Sequence, residues 1–341
     1  MSEQTKIAWC DSTLNFWEGC TKVSAGCTNC YAEARDKRFT GGKLWGKGAP
    51  RRKSKSAVKD ALRYNKLPWI CNDCGKAFPA GTVQFDGDCN CQPRSFRGQT
   101  KFHRRRIFSL SLGDWLDDEV PIEWLAEMLD TIRQCDQVIW ILCTKRPENW
   151  YDRVSLAASH MEAIGNEQCA EWLDAWTDCL DMPERGDIPQ NIILLTSVEN
   201  QEAADKRIPK LLRIPAACRG LSMEPLLGAV DLCKWLLPSI EDVQAVYSGE
   251  EPAYRPLNWL IIGGESGANA RPCNVDWIRS IVQQGKAAGV ATFVKQLGAN
   301  PKLTEYPLPP LGDGFKLRDK KGGDPSEWPL DIQVQEWPKG F

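Results

Sequence analysis

Seven short apolar runs, each ending in polar or ionisable residues, constrain this chain more than any other feature of its 341 residues. They are Leu14-Asn15-Phe16-Trp17, Arg106–Leu112, Gln137–Leu142, Asn191–Val198, Gly220–Met223, Trp259–Ile262 and Ala291–Val294. Helical patterns separate most of them. One starts at Pro121, with Ile122, Leu125, Leu129 and Ile132 at helical spacing. Residues 166–181 carry Cys169, Trp172, Leu173, Trp176, Cys179 and Leu180 on one stripe, which predicts cysteines used for core packing. Asn200 and Asn274 each stand where they would cap a following helix. Strands alternating with helices predict an α/β fold built on a parallel sheet, whose closure periodicity alone does not settle. A Pro- and Gly-rich wrap is expected after Gly298, with one late strand at Asp331–Gln335.

The strand ends form a set: Asp114, Lys145, Arg146, Ser197, Glu199, Asn200, Ser222, Glu224, Glu265, Ser266, Lys295 and Gln296. Singly, each is accounted for as a cap or a solvated charge. On seven successive elements they predict a site at the carboxyl ends of the strands. Three thiols, Cys20, Cys27 and Cys30, lie within eleven residues on the loop leaving the first run. Zinc takes four N or S ligands, and the two histidines, His103 and His160, are far away in sequence. Three thiolates suit an iron–sulfur cluster with one iron open to an exogenous ligand.

Four further thiols, Cys71-x2-Cys74 and Cys89-x-Cys91, predict a small zinc-ribbon-like insertion with a structural Zn²⁺; a second iron–sulfur cluster or unligated thiols are the alternatives. The polar N-terminus has no apolar signal core, and no run approaches about 18 apolar residues. With 15 cysteines the chain is expected in the reducing cytoplasm and away from membranes. Its net charge of −2 hides an asymmetry: 21 Lys and Arg face 9 Asp and Glu through Arg106, and 22 face 36 beyond it. The basic third, with Arg35-Asp36-Lys37-Arg38, Arg51-Arg52-Lys53-Ser54-Lys55 and His103-Arg104-Arg105-Arg106, points to phosphates of a nucleotide or nucleic acid, or else to a solvated basic edge. Trp45 or Trp69 could stack on a base.

The run Asn15-Phe16-Trp17-Glu18-Gly19-Cys20, followed by Val23-Ser24-x-Gly26-Cys27-x-x-Cys30-Tyr31-Ala32, resembles the three-cysteine motif of phage proteins called Gp37/Gp68. So do Thr196–Asn200, Ser222–Gly228, Ile262–Gly267 and Lys295–Gly298, so the resemblance covers nearly the whole chain. That family is similar to radical S-adenosylmethionine (SAM) enzymes. The resemblance implies a partial (β/α) barrel of the radical SAM type, a [4Fe–4S] cluster on Cys20, Cys27 and Cys30, and SAM on the open iron. Spacing differs, C-x6-C-x2-C here against the common C-x3-C-x2-C. In radical SAM enzymes a Gly-Gly-Glu stretch after the second strand receives the SAM amine; Asp114 holds that place here, while Gly263-Gly264-Glu265 arrives four strands later, its glycines allowing close backbone approach to a ligand. Glu199 or Glu224 would bind ribose hydroxyls, and Lys295 the SAM carboxylate or a substrate phosphate.

The implied activity is reductive cleavage of SAM to start radical modification of a substrate, here a nucleobase, nucleotide or nucleic acid. Implied partners are a reductant protein such as flavodoxin or ferredoxin and the three-Cys-motif partner protein often encoded beside this family. Two alternatives stand: a nucleic-acid-binding protein with structural metal sites, and an iron–sulfur redox partner. The expected organisation is 1–66, first strand, cluster loop, helix and basic segment; 67–105, insertion; 106–298, remainder of the barrel; and 299–341, C-terminal wrap.

Overall fold

The computed structural model describes residues 4–81, 102–179, 187–237, 257–302 and 317–341. Seven strands form one parallel sheet: β1 (Ser12–Leu14), β2 (Arg106–Ser109), β3 (Ile139–Thr144), β4 (Ile192–Ser197), β5 (Cys218–Met223), β6 (Trp259–Gly263) and β7 (Ala291–Gln296). Each strand pairs with the strands nearest to it in chain order, and the sheet curls into a half-barrel. Among the described residues no strand closes β7 back onto β1. The described residues also include eight α-helices: α1 (Tyr31–Phe39), α2 (Ala57–Asn65), α3 (Ile122–Gln134), α4 (Trp150–Ala163), α5 (Glu167–Asp178), α6 (Gln201–Arg213), the single turn α7 (Cys233–Leu236) and α8 (Val275–Ala288).

Strand side chains alternate between two cores. On β3, Trp140 and Leu142 join Leu125 and Leu129 of α3, Val154 of α4 and Leu173 of α5 on the convex side. Ile139 and Ile141 turn the other way, into a second cluster with Ile193, Leu195, Cys218, Trp259, Ile261 and Phe293 on the concave side. All six residues of β4 are therefore buried, as expected of a parallel strand covered on both faces. Gly220 makes the curl fit, because a Cβ there would stand 2.5 Å from the Trp259 carbonyl oxygen and 2.9 Å from Leu195.

The floor of the concave face is sealed by the two ends of the chain. Trp9 packs edge-on against Trp259 at 6.1 Å between ring centroids, and Trp337 against Phe293 at 5.0 Å. Trp337 Nε1 donates to the Trp9 carbonyl at 3.3 Å, closing the seal.

Several boundaries differ from the sequence expectation. The first strand is Ser12–Leu14, because Asn15 leaves the sheet to accept from Leu112 N at 2.8 Å and Trp17–Glu18 pairs with Arg52–Lys53. The second strand stops at Ser109, where Leu110 turns to a positive φ of 61°. Asp331–Gln335 is not a strand: a 3₁₀ turn at Leu330–Ile332 precedes a brief antiparallel contact in which Val294 N donates to Val334 O. Cys169 and Cys179 are buried core residues, as the stripe predicts, and Asn200 and Asn274 cap α6 and α8.

Beside β2, Trp69–Cys71 pairs antiparallel with Ala77–Phe78 and Phe102–His103. Cys71 and Cys74 flank a tight turn, with Gly75 N donating to Cys71 O and Cys71 N to Lys76 O. Cys71 is buried and Cys74 exposed, while Cys89 and Cys91 lie outside the described residues. Trp69 is not free to stack on a base: its Nε1 donates to Gln137 O and the Arg104 guanidinium covers its ring.

Candidate functional site

The loop after β1 brings Cys20, Cys27 and Cys30 to the carboxyl ends of the strands, each partly exposed. Gly19 opens it at φ 114°, close under Leu44 and Arg51, and Cys30 stands at the N-cap of α1. Residues from the ends of β3, β4 and β6 hold this loop.

Arg146, just past β3, donates from Nη1 to Cys20 Sγ at 3.7 Å and from Nη2 to Thr21 O at 2.8 Å. Its guanidinium pairs with Asp114 at 3.0 Å. Burial works against the Arg146 cation, but Asp114 and Cys20 outweigh it and raise its pKa. Asp114 is saturated: Oδ1 accepts from Leu116 N and Thr144 Oγ1, and Oδ2 from Lys145 N and Arg146. The carboxylate assigned to a ligand amine therefore holds a loop arginine instead. A second buried arginine, Arg51, pairs with Asp117 at 2.9 Å and donates to Thr21 Oγ1 at 2.8 Å. Its place in a basic run suggested a surface residue, yet its side chain is only 1% exposed.

Glu199, beyond β4, accepts from Gly26 N at 3.2 Å and pairs with Arg207 at 2.7 Å. Burial raises its pKa, but bonds from Ser24 and Arg207 and the charge of Lys145 bring it below the usual carboxylate range. A Cβ on Gly26 would come within 3.1 Å of the Glu199 carboxyl, so a side chain there would press on that carboxylate. Glu265, beyond β6, accepts from Asn29 Nδ2 at 3.0 Å and pairs with Arg271, which also reaches Ala25 O at 2.8 Å. Sequence reasoning missed Arg207 and Arg271.

Inside the concavity stand two smaller groups. Lys145 Nζ donates to Ser197 Oγ at 3.0 Å, and that oxygen lies 3.6 Å from Cys143 Sγ. Burial disfavours the Lys145 cation, while Cys27, Cys143, Glu199 and Asp114 favour it and raise its pKa. Lys295 and Glu224 form an ion pair at 2.7 Å, and Trp9 Nε1 lies 3.4 Å from the Glu224 carboxylate. Gly263 gives this pair room, since a Cβ there would be 2.9 Å from Glu224 Oε1. Gly264 packs against the backbone of Leu297, and its carbonyl accepts from Gln296 Nε2, so it supports the turn. Tyr31, an exposed residue, donates from its hydroxyl to Ser111 O.

The run His103–Arg106 serves the fold. His103 and Arg106 pair with Asp11, Arg104 donates to Asp136 O, Arg105 donates to Ser12, and Arg106 lies over the Trp337 ring.

Among the described residues no three His, Cys, Asp or Glu side chains converge as ligands of a single metal ion. The loop offers three separate sulfur donors, and soft thiolates suit Zn, Cu(I) and iron–sulfur clusters. A polynuclear cluster joins more widely spaced thiolates than one ion does. The cations Arg146, Lys145 and Arg271 around the loop suit the negative charge such a donor set carries. The residues present fit the group.

The chain belongs to a family of proteins of unknown function, DUF5131. The family model matches residues 4–323, which include the cysteine loop and all seven strands, and leaves Trp337 of the floor outside. No curated protein and no solved structure matches the chain. No helix among the described residues is long and apolar enough to cross a membrane.

Proposed function

We propose that the protein is a radical SAM-like iron–sulfur enzyme of the Gp37/Gp68 kind, with Cys20, Cys27 and Cys30 holding a [4Fe–4S] cluster. One observation carries this reading: a three-thiol loop, fixed by residues from the ends of three strands, faces a concavity in which the Glu224–Lys295 pair makes no loop-holding contact among the described residues. When bound, the cluster supplies the electron for reductive cleavage of SAM, which starts radical modification of a substrate. The chain supplies position and charge. Arg146 orients Cys20, and Lys145 and Arg271 offset the thiolates. Glu224 and Lys295 offer the opposite charges that an amino-acid zwitterion needs, ammonium on Glu224 and carboxylate on Lys295. Glu199 is engaged by Gly26 and Arg207, so its carboxylate serves the loop rather than ribose hydroxyls. The apolar floor keeps water from entering beneath.

The substrate we favour is a nucleobase, nucleotide or nucleic acid, on the ground of the basic first third. For Cys71 and Cys74, together with Cys89 and Cys91, we infer a structural zinc, supported by the tight turn between the first two.

The test is anaerobic reconstitution with iron and sulfide, then electron paramagnetic resonance of the reduced protein with and without SAM. A [4Fe–4S] signal that shifts with SAM and is lost in Cys20→Ala, Cys27→Ala and Cys30→Ala is expected. A signal indifferent to SAM would move the reading to a structural cluster in a binding protein.

A further inference from the structure

Helix α1 buries almost nothing. Of its nine residues only Ala32 and Asp36 are buried, and Asp36 serves the local turn by accepting from Leu44 N. A surface helix of a globular protein normally turns an apolar stripe to the core. This one presents its outer face to solvent, with Phe39 65% exposed beneath two guanidinium groups, Arg38 at 5.1 Å and Arg35 at 5.9 Å from the ring centroid. Phenylalanine and arginine are both enriched at protein–protein interfaces relative to the rest of the surface.

Charge selects the partner. Lys22, Arg35, Lys37, Arg38, Lys43 and Lys47 crowd this side, against which Glu33 pairs with Lys22 and Lys37, and Glu18 with Arg35 and Arg52. Arg38, Lys43 and Lys47 make no ion pair among the described residues. Beyond Arg106 the chain carries 36 acidic against 22 basic residues, so an acidic protein is drawn to this lobe and repelled by the rest. Position supplies the purpose: Cys30 caps the helix, and Phe39 lies nine residues on, about 13 Å along its axis.

We propose that the outer face of α1, centred on Phe39, Arg35 and Arg38, docks an acidic electron-carrier protein that reduces the group held by Cys20, Cys27 and Cys30. This rests on the iron–sulfur reading above. One electron passes from the carrier's reduced flavin or iron–sulfur centre to that group. The carrier is oxidised by one electron, and no covalent bond is made or broken.

The experiment uses the full chain, reconstituted anaerobically, and a reduced acidic flavodoxin in a stopped-flow mixer. In the triple variant Arg35→Glu, Arg38→Glu, Phe39→Ala, the second-order reduction rate is expected to fall at least tenfold and to lose its dependence on ionic strength. Dithionite should reduce it as fast as the wild type, and Lys320→Glu, far along the chain, should behave as wild type. Equal flavodoxin rates in the triple variant and the wild type would overturn the proposal. So would a labelled single-stranded RNA that binds the wild type and is lost from the variant while flavodoxin rates stay unchanged, because the face would then serve nucleic acid. Failure of the underlying reading is visible earlier, as absence of iron–sulfur absorption in the wild type. In that case calorimetry with flavodoxin decides docking alone: binding lost in the variant supports the surface, and equal affinity overturns it.

Discussion

The two ends of the concave face share seven strands and differ in almost everything else. At the amino end Ile139, Ile193, Cys218 and Trp259 meet Trp9 and Trp337 in a sealed apolar floor. At the carboxyl end Lys145, Glu224 and Lys295 stand below a loop of thiols. The floor is held by packing, which tolerates no missing volume. The mouth is held by charge pairs, some of which hold the loop while others have no such duty. The floor thus serves stability alone, while the mouth divides its charges between those that hold the loop and those that face the concavity.

Substitutions can break that division, and the largest effect is expected at the floor. Trp259→Ala removes a fully buried ring and its bond to Glu336 O, and should cost about 3–5 kcal/mol in denaturant unfolding. Arg146→Met strips the Asp114 carboxylate of its charge partner and should cost about 3 kcal/mol; it should also loosen Cys20, read as slower and less complete cluster assembly. A loss as small as a surface substitution would show that Asp114 is content with its three other donors. Asp11, near the floor, is a pH reporter. Burial raises its pKa, but the bond from His103 and the charge of Arg106 lower it from 3.8 to about 2. A folded pKa below the unfolded one stabilises above about pH 4 and is lost as pH falls towards 2. Asp11→Asn should therefore cost up to about 2 kcal/mol at neutral pH, less for partial exposure, with the gap closing below pH 4. The smallest stability effect belongs to the mouth: Lys295→Met should change stability by under about 1 kcal/mol, because the pair is partly solvated, yet abolish the SAM-induced spectral shift. A large loss of stability in Lys295→Met would show that this pair, like Arg146 and Asp114, holds the fold.

Much of the scaffold was legible in the sequence because its signals are local. A buried strand such as Ile192–Ser197 is a continuous apolar run, and Asn200 and Asn274 announce their helices by position. Helix α4 is harder to read: its buried stripe relies on Val154, Ala157, Ala158 and Met161, and two alanines give little periodic contrast. The clamps were illegible for a different reason. Gly26 and Glu199 meet across 173 positions, and Asn29 and Glu265 across 236, and no local pattern links residues so far apart. Charge alone also misled at Arg51, where a basic run hides one arginine whose partner is the buried Asp117. Arg207 had a faint cue, standing on the helix that Glu199 leads into.

The bond from Trp337 to Trp9 spans 328 positions, whereas every pairing in the sheet joins strands adjacent in chain order. During synthesis the strands can therefore add one after another as they emerge, each finding its partner already made. The floor cannot: its last wall leaves the ribosome long after its first. The growing protein is a trough open at the base, and its apolar lining stays wet until Trp337 arrives to shut it.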